Sequence, residues 1–352
     1  MPYEWAMLFG RAASTSCPRI ANRVVAVRLS LQNLIKIIVS LAALAVLVYV
    51  LRDVDLAQTL SILLGANPAI LVAVLLVQAL SMFLRLLRWK FQLHPAQDVP
   101  LARLISPLLI AYAVGNVTVT AVGMVPRVYL LTRKTGIDSA FIAGTFVQEF
   151  ILDGTTLLLW ALLIPFFVHL PAPFHQVQVV LILPLAILLL VVFSFWRRQS
   201  IFVNLLVRLG LWEKILVLLP DFVSMHFKNF GDGLSAAFAN PLTLAGVVLC
   251  TALTWAVEAV IFWLLLFSLG IPFDYLEASA VMAYTHMVIG IPSVPGFVGT
   301  LEAATVGLVL ALGGTKAAAL AFSVLLRVFL MGPSTIIGLA LAWREGWHIW
   351  SK

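Results

Sequence analysis

The chain has 352 residues, of which 62% are apolar and 11% charged. Soluble domains carry about 25% charged residues, so this composition excludes a soluble globular protein, a disordered chain and a nucleic-acid binder. The formal net charge of +7 then reads as basic loops on the cytoplasmic side of a membrane. The two cysteines, Cys17 in a basic tail and Cys250 in an apolar stretch, give no reason to expect a disulfide or a metal site.

Residues 1–33 hold Arg11, Arg19, Arg23 and Arg28 against the single acid Glu4. They lack the short apolar core and cleavage site of a signal peptide and read as a cytoplasmic basic tail facing anionic lipid. A bilayer crossing needs about 20 apolar residues. Stretches of that kind cover 34–51, 69–91, 139–168, 177–196, 241–269 and 317–343. Two further apolar stretches, 104–131 and 276–312, are interrupted. The first contains Gly115, Asn116 and Gly123, then Pro126 and Arg127; the second contains Pro295, Gly296 and Gly299, then Glu302. Such clusters break helices.

Charge decides how the interrupted stretches sit. If 104–131 crossed as a plain span, Arg133 and Lys134 would face the side opposite Arg88 and Lys90, against the positive-inside rule. If both stretches are re-entrant hairpins, every cation except Arg52, Lys316 and the buried Arg327 falls inside, and both termini are cytoplasmic. The expected architecture is therefore an all-α polytopic membrane protein with six spanning helices and two re-entrant helical hairpins. They form an inverted-topology repeat, as in many secondary transporters. The first membrane repeat is 34–168 and the second 169–352. The second includes a cytoplasmic segment, 197–240, expected as amphipathic helices on the inner surface. Laying 136–154 on 314–332 brings Gly136 to Gly314 and Gly154 to Gly332, and sets Glu149 on Arg327.

An ionisable residue at membrane depth costs about 2.5–3.5 kcal/mol on insertion scales and usually faces the protein interior. Here these residues are Arg127, Glu149, Asp153, Glu258, Glu302 and Arg327. Glu149 and Asp153, four apart, share a helix face. Arg127 and Glu302 lie where the second arm of each hairpin begins. A helix N-terminus there favours an anionic group, and arginine bonds two phosphate oxygens at once. One reading is a midplane cavity holding a lipid head group. The other is a set of buried ion pairs, Arg327 with Glu149 and Arg127 with Glu302, that lock the two halves together. At the inner end of the second span, Arg85, Arg88 and Trp89 with Lys90 read as snorkelling cations beside an interfacial Trp, or as capture of an anionic head group from the inner leaflet. His286 reads as a structural histidine. Phosphate-loop, zinc-protease and nucleophile-elbow signatures are missing, so no catalytic residue, metal or cofactor is expected.

Four stretches together resemble a known family. They are Arg85-x-x-Arg88-Trp89, the Gly115-Asn116 turn leading through Gly123 to Arg127, Glu149-Phe-Ile-Leu-Asp153, and Pro295-Gly296-Phe-Val-Gly299-x-x-Glu302 followed by Arg327. In order and spacing they are similar to motifs of the flippase-like membrane family that includes the transmembrane domain of lysylphosphatidylglycerol synthases. The chain departs from that pattern at Met124, at Phe150 and at Phe297, the last standing where the family has a second glycine. The resemblance implies transbilayer movement of an anionic or zwitterionic lipid in a bacterial or archaeal cytoplasmic (inner) membrane. It also admits a subunit that presents lipid to a separate lipid-modifying enzyme. The chain ends at Lys352, so the aminoacyl-transfer half of those synthases is expected to be absent.

The hairpin topology has a direct check. A Lys134→Cys variant is expected to react with a membrane-impermeant maleimide from the cytoplasmic side; labelling only from outside refutes the topology.

Overall fold

The computed structural model describes residues 55–118, 120–168, 181–190, 227–290 and 295–350. The basic tail 1–33, the expected span 34–51, most of the expected span 177–196 and the loop residues 197–226 lie outside the described residues. Within them the regular elements are all helical. In chain order they are α1 (Leu56–Leu64), α2 (Pro68–Leu93), α3 (Leu101–Val117), α4 (Thr120–Thr135), α5 (Ser139–Leu163), α6 (Leu181–Leu190), α7 (Phe227–Leu234), α8 (Pro241–Ser268), α9 (Tyr275–Ile289), α10 (Thr300–Ala311), α11 (Lys316–Leu326) and α12 (Gly332–Trp350).

Local chemistry sets where several of these begin. Asn67 accepts from the Ala69 N–H ahead of Pro68, and Asn240 accepts from Thr243 ahead of Pro241. Asp138 caps α5, Thr315 caps α11, and Asp274 with Glu277 forms a reciprocal capping box at α9. Each side chain satisfies an N–H that the helix itself leaves unpaired.

Among the described residues, four helices are long and apolar enough to cross a membrane: Pro68–Leu93, Ser139–Phe166, Pro241–Ser268 and Lys316–Gly346. They coincide with the expected spans 69–91, 139–168, 241–269 and 317–343. The fourth comprises α11 and α12 joined by a π-helical turn at Arg327–Met331. Its cause is local. Pro333 has no N–H and its ring crowds the carbonyl four residues back, and a π-bulge absorbs that misfit. Side chains from elsewhere take up carbonyls of the turn: Gln78 donates to Leu330 O at 3.2 Å and Asn116 to Met331 O at 3.4 Å.

The interrupted stretches are helix pairs with a break between their arms. α4 folds back along α3 so closely that a Cβ on Gly123 would stand 2.4 Å from the Ala111 carbonyl oxygen. At about 1.5 Å per residue, α3 is about 25 Å long and α10 about 18 Å, both short of a hydrocarbon core of about 30 Å. The two breaks touch, because the Gly296 N–H donates to Thr118 O at 3.0 Å.

Two apolar cores result among the described residues. The larger joins α2, α5, α8, α9, α10 and α11 around Val74, Leu157, Phe262, Met282, Val306 and Phe322. The smaller gathers Trp89, Leu93, Leu104, Leu108, Leu131 and Ile142. Most of the 197–240 segment, including the residues expected as amphipathic helices, lies outside the described residues. Its described end, α7, packs closely against α5. A Cβ on Gly233 would stand 2.0 Å from Phe141 O, and one on Gly144 would stand 2.3 Å from Phe230 O.

These contacts give a stability prediction. Gly233→Ala and Gly144→Ala each force backbones apart and are expected to lower thermal stability in detergent by about 1–3 kcal/mol. Gly307 in α10 faces open space, so Gly307→Ala is expected to leave stability unchanged or raise it by up to about 1 kcal/mol through helix propensity.

Candidate functional site: a buried charge network

Helical spacing assembles the network. Ser81, Arg85, Arg88 and Gln92 follow one another at three or four residues on one face of α2. Thr251, Trp255 and Glu258 do the same on α8, and Glu149 with Asp153 on α5. α2 and α8 run antiparallel, pairing Ser81 with Glu258 and Arg88 with Thr251.

Arg85 Nη2 lies 2.7 Å from Glu258 Oε1, and its Nη1 donates to the Tyr112 hydroxyl at 3.1 Å. Ser81 also donates to Glu258 Oε1, at 2.8 Å. Arg88 grips Asp153 with both terminal nitrogens, at 2.5 and 3.1 Å. Its Nη2 also lies 2.7 Å from Glu149 Oε1. The second oxygen of Glu149 takes Arg127 Nη2, also at 2.7 Å. The Arg127 guanidinium rests 4.0 Å above the Trp89 ring, and Trp255 Nε1 donates to Asp153 at 3.0 Å. Three arginines thus meet three carboxylates, and the cluster is neutral as a whole. Arg88 and Trp89 are fully buried, while Asp153 keeps 18% of its side chain exposed.

A second pair sits at the break before α10. Arg327 donates through Nε and Nη2 to Glu302 Oε1, at 2.9 and 2.6 Å. It also donates to the carbonyls of Gly296 and Phe297, at 2.7 and 3.3 Å. Glu302 Oε2 accepts the Gly299 N–H at 2.7 Å. Both charged side chains are only part-buried, 30% exposed for Arg327 and 15% for Glu302.

These contacts correct three expectations. Arg327 does not pair with Glu149, nor Arg127 with Glu302; the partners are exchanged. Arg85, Arg88 and Trp89 are interior groups, not snorkelling side chains at an interface. Glu258, for which the sequence suggests no partner, holds Arg85. The break residues behave as their chemistry requires. Asn116 donates to Ser334 and Thr335 as well as Met331 O, and Gly115 and Gly123 lie where α3 and α4 meet closely. Gly296 and Gly299 have φ of 70° and 84°, the left-handed region that glycine adopts freely. Pro295 opens the short 3-10 turn there.

The chain matches the family model described as the lysylphosphatidylglycerol synthase TM region over residues 33–338. It belongs to that family. No curated protein and no solved structure gives a significant match. The departure of this family member at Phe297 acquires a physical meaning. Phe297 has φ of 55°, a conformation that costs a side chain roughly 1–2 kcal/mol, and its ring is buried in the larger core.

Sequence reasoning missed Trp255, Tyr112, Ser81 and Thr251. A signal was available: Trp255 is three residues before Glu258, and Ser81 four before Arg85, so each shares a face with a charge.

Breaking one of these buried pairs is expected to cost about 3–5 kcal/mol. Arg88→Met strips a partner from both Glu149 and Asp153, whereas Arg127→Met leaves Glu149 bound to Arg88. Unfolding in detergent is therefore expected to show the larger loss for Arg88→Met; equal losses would contradict this assignment.

Proposed function

We propose that this protein moves a lipid with an anionic or zwitterionic, phosphate-bearing head group between leaflets, and that it does so without chemical conversion of the lipid. The carrying observation is the set of arginines held at membrane depth by carboxylates, with Asp153, Glu302 and Arg327 still partly open. A bare charge in such surroundings is costly, and an arginine that passes from one anionic partner to another is not left bare. A phosphate entering the site replaces a carboxylate on Arg327 or Arg88. It bonds the same guanidinium nitrogens and leaves as the carboxylate returns. The acyl chains stay in the bilayer throughout.

The helix pairs α3–α4 and α9–α10 support a pathway of this kind. Their short arms fit re-entrant hairpins, whose tips meet at Gly296 and Thr118. The charge pairs fit an inverted repeat. In one half the second arm supplies Arg127 to Glu149 of the next helix; in the other it supplies Glu302 to Arg327. The geometry is shared and the signs are reversed. We place the protein in the cytoplasmic (inner) membrane, with both termini inside.

The test is translocation of fluorescent phosphatidylglycerol in liposomes holding the purified full chain. Arg327→Ala and Asp153→Asn are expected to slow it at least about tenfold, a barrier change of about 1.4 kcal/mol, in protein that remains folded. Lipid mass spectrometry of extracted protein is expected to find one lipid class enriched in the wild type and depleted in these variants. Wild-type rates in both variants overturn the proposal. Bound lipid without translocation by the purified protein would instead favour presentation to a separate lipid-modifying enzyme.

A further inference from the structure

One continuous polar face runs along α2. Gln78, Ser81, Arg85, Arg88 and Gln92 recur at three and four residues, which keeps them on one side of the helix, and all five are buried. They extend over about 21 Å of helix, against about 30 Å of hydrocarbon. The other side carries Val72, Leu76, Leu80 and Phe83, all exposed, so α2 turns an apolar side to lipid and a polar side inward. The polar side joins the two charge clusters. Gln78 donates to Leu330 O in the π turn that Arg327 begins, and Arg85 and Arg88 hold the carboxylates of the larger network.

The atoms these side chains leave unpaired point to a ligand. Ten buried side-chain polar atoms lack a hydrogen-bond partner among the described residues. Six belong to this face or to the two charged groups that touch it: Gln78 Oε1, Arg85 Nε, Arg88 Nε, Gln92 Oε1, Arg127 Nε and Glu258 Oε2. The other four are hydroxyls. Buried polar atoms are rarely left so, least of all at membrane depth. Carbonyls, which only accept, fix the orientation of both glutamines. Gln78 turns Nε2 to Leu330 O. Gln148 turns Nε2 to Leu234 O, so its Oε1 takes the Nε2 of Gln92. Oε1 of Gln78 and Oε1 of Gln92 are therefore acceptors without a donor.

The unpaired set holds two kinds of atom. The three arginine Nε atoms are donors and suit phosphate oxygens. Gln78 Oε1, Glu258 Oε2 and Gln92 Oε1 are acceptors, which a phosphate diester cannot satisfy. They need O–H or N–H groups on the same ligand. We propose that the polar face of α2 is the track of the head group, that Gln78 and Gln92 are specificity residues at its two ends, and that the head group it selects carries hydroxyl or primary ammonium donors beside its phosphate. This inference rests on the lipid-movement reading. The phosphate passes from one arginine to the next along α2, while the donors of the head group meet Gln78, Glu258 and Gln92. A head group ending in methyl or trimethylammonium leaves those acceptors unpaired. A site built to bond a hydroxyl or an amine rejects the analogue that lacks it.

The test compares two fluorescent lipids of equal charge in liposomes holding the full chain. Phosphatidylglycerol offers hydroxyl donors and phosphatidylmethanol offers none. Phosphatidylglycerol is expected to cross at least about tenfold faster, a barrier difference of about 1.4 kcal/mol. Gln78→Met and Gln92→Met keep the length of the side chain and remove the acceptor, and both are expected to lower that ratio toward unity. A merely structural defect slows both lipids alike and leaves the ratio as it was. Free glycerol phosphate in the buffer is expected to change neither rate. Equal rates for the two lipids in the wild type, or an unchanged ratio in both variants, overturns the track and leaves the lipid-movement reading standing. Block by free glycerol phosphate would assign the face to a soluble ligand and overturn the track as well. No transfer of either lipid overturns the lipid-movement reading, and the track with it. The wild-type comparison needs no variant to fold.

Discussion

Glu149 divides its two carboxylate oxygens between Arg88 and Arg127, and much of the bundle is arranged around that division. Apolar packing brings helices together but says little about how each is turned about its axis. Buried charge does. An uncompensated guanidinium at this depth costs several kcal/mol, so α2, α4 and α5 take the rotations that bring these three residues within hydrogen-bond distance. Asp153, one turn along α5, then meets the same Arg88, and Trp255 on α8 is oriented by its bond to Asp153. Four helices are set by one chain of contacts.

Backbone polarity imposes the second constraint. Unpaired carbonyls and N–H groups are intolerable in hydrocarbon, yet this fold breaks its helices twice and swells one turn. Each lapse is answered from elsewhere in the chain. Arg327 serves the carbonyls of Gly296 and Phe297, Gly296 in turn serves Thr118, and Gln78 and Asn116 serve the π turn. Residues that supply charge therefore also repair backbone. Arg327 does both, which explains why one arginine stands at the meeting of a break, a π turn and a carboxylate.

The long apolar elements were legible in the sequence because their lengths and their Asn-Pro, Asp and Thr starts are local signals. The breaks were legible for the same reason, since Gly115, Gly123, Gly296 and Gly299 act through their own backbone. The membrane-depth charges could be named from hydropathy alone. Their partners could not. Arg127 and Glu149 are 22 residues apart, and Arg85 and Glu258 are 173 apart. Choosing Glu302 over Glu149 for Arg327 requires knowing the rotation of helices whose apolar faces look alike all round. The interior position of Arg85 and Arg88 was hidden similarly, because a Leu-rich segment ending in cations reads the same at an interface as inside a bundle. The close packing of α7 on α5 was hidden because it depends on the small size of Gly233 and Gly144, which no periodicity reports.

The π turn at Arg327–Met331 also works as a phase adjuster. An extra residue in one turn offsets everything beyond it by roughly 100° about the helix axis. Before the turn, α11 presents Phe322 and Leu326 to the larger core. Beyond it, α12 turns Gly338 onto the Leu109 carbonyl and Glu345 onto Ser106 and Lys134. A uniform α-helix would need a different sequence register to address both neighbours. The surplus residue lets one continuous rod mesh with two partners on different sides, much as a half-link lets a chain engage two sprockets out of step.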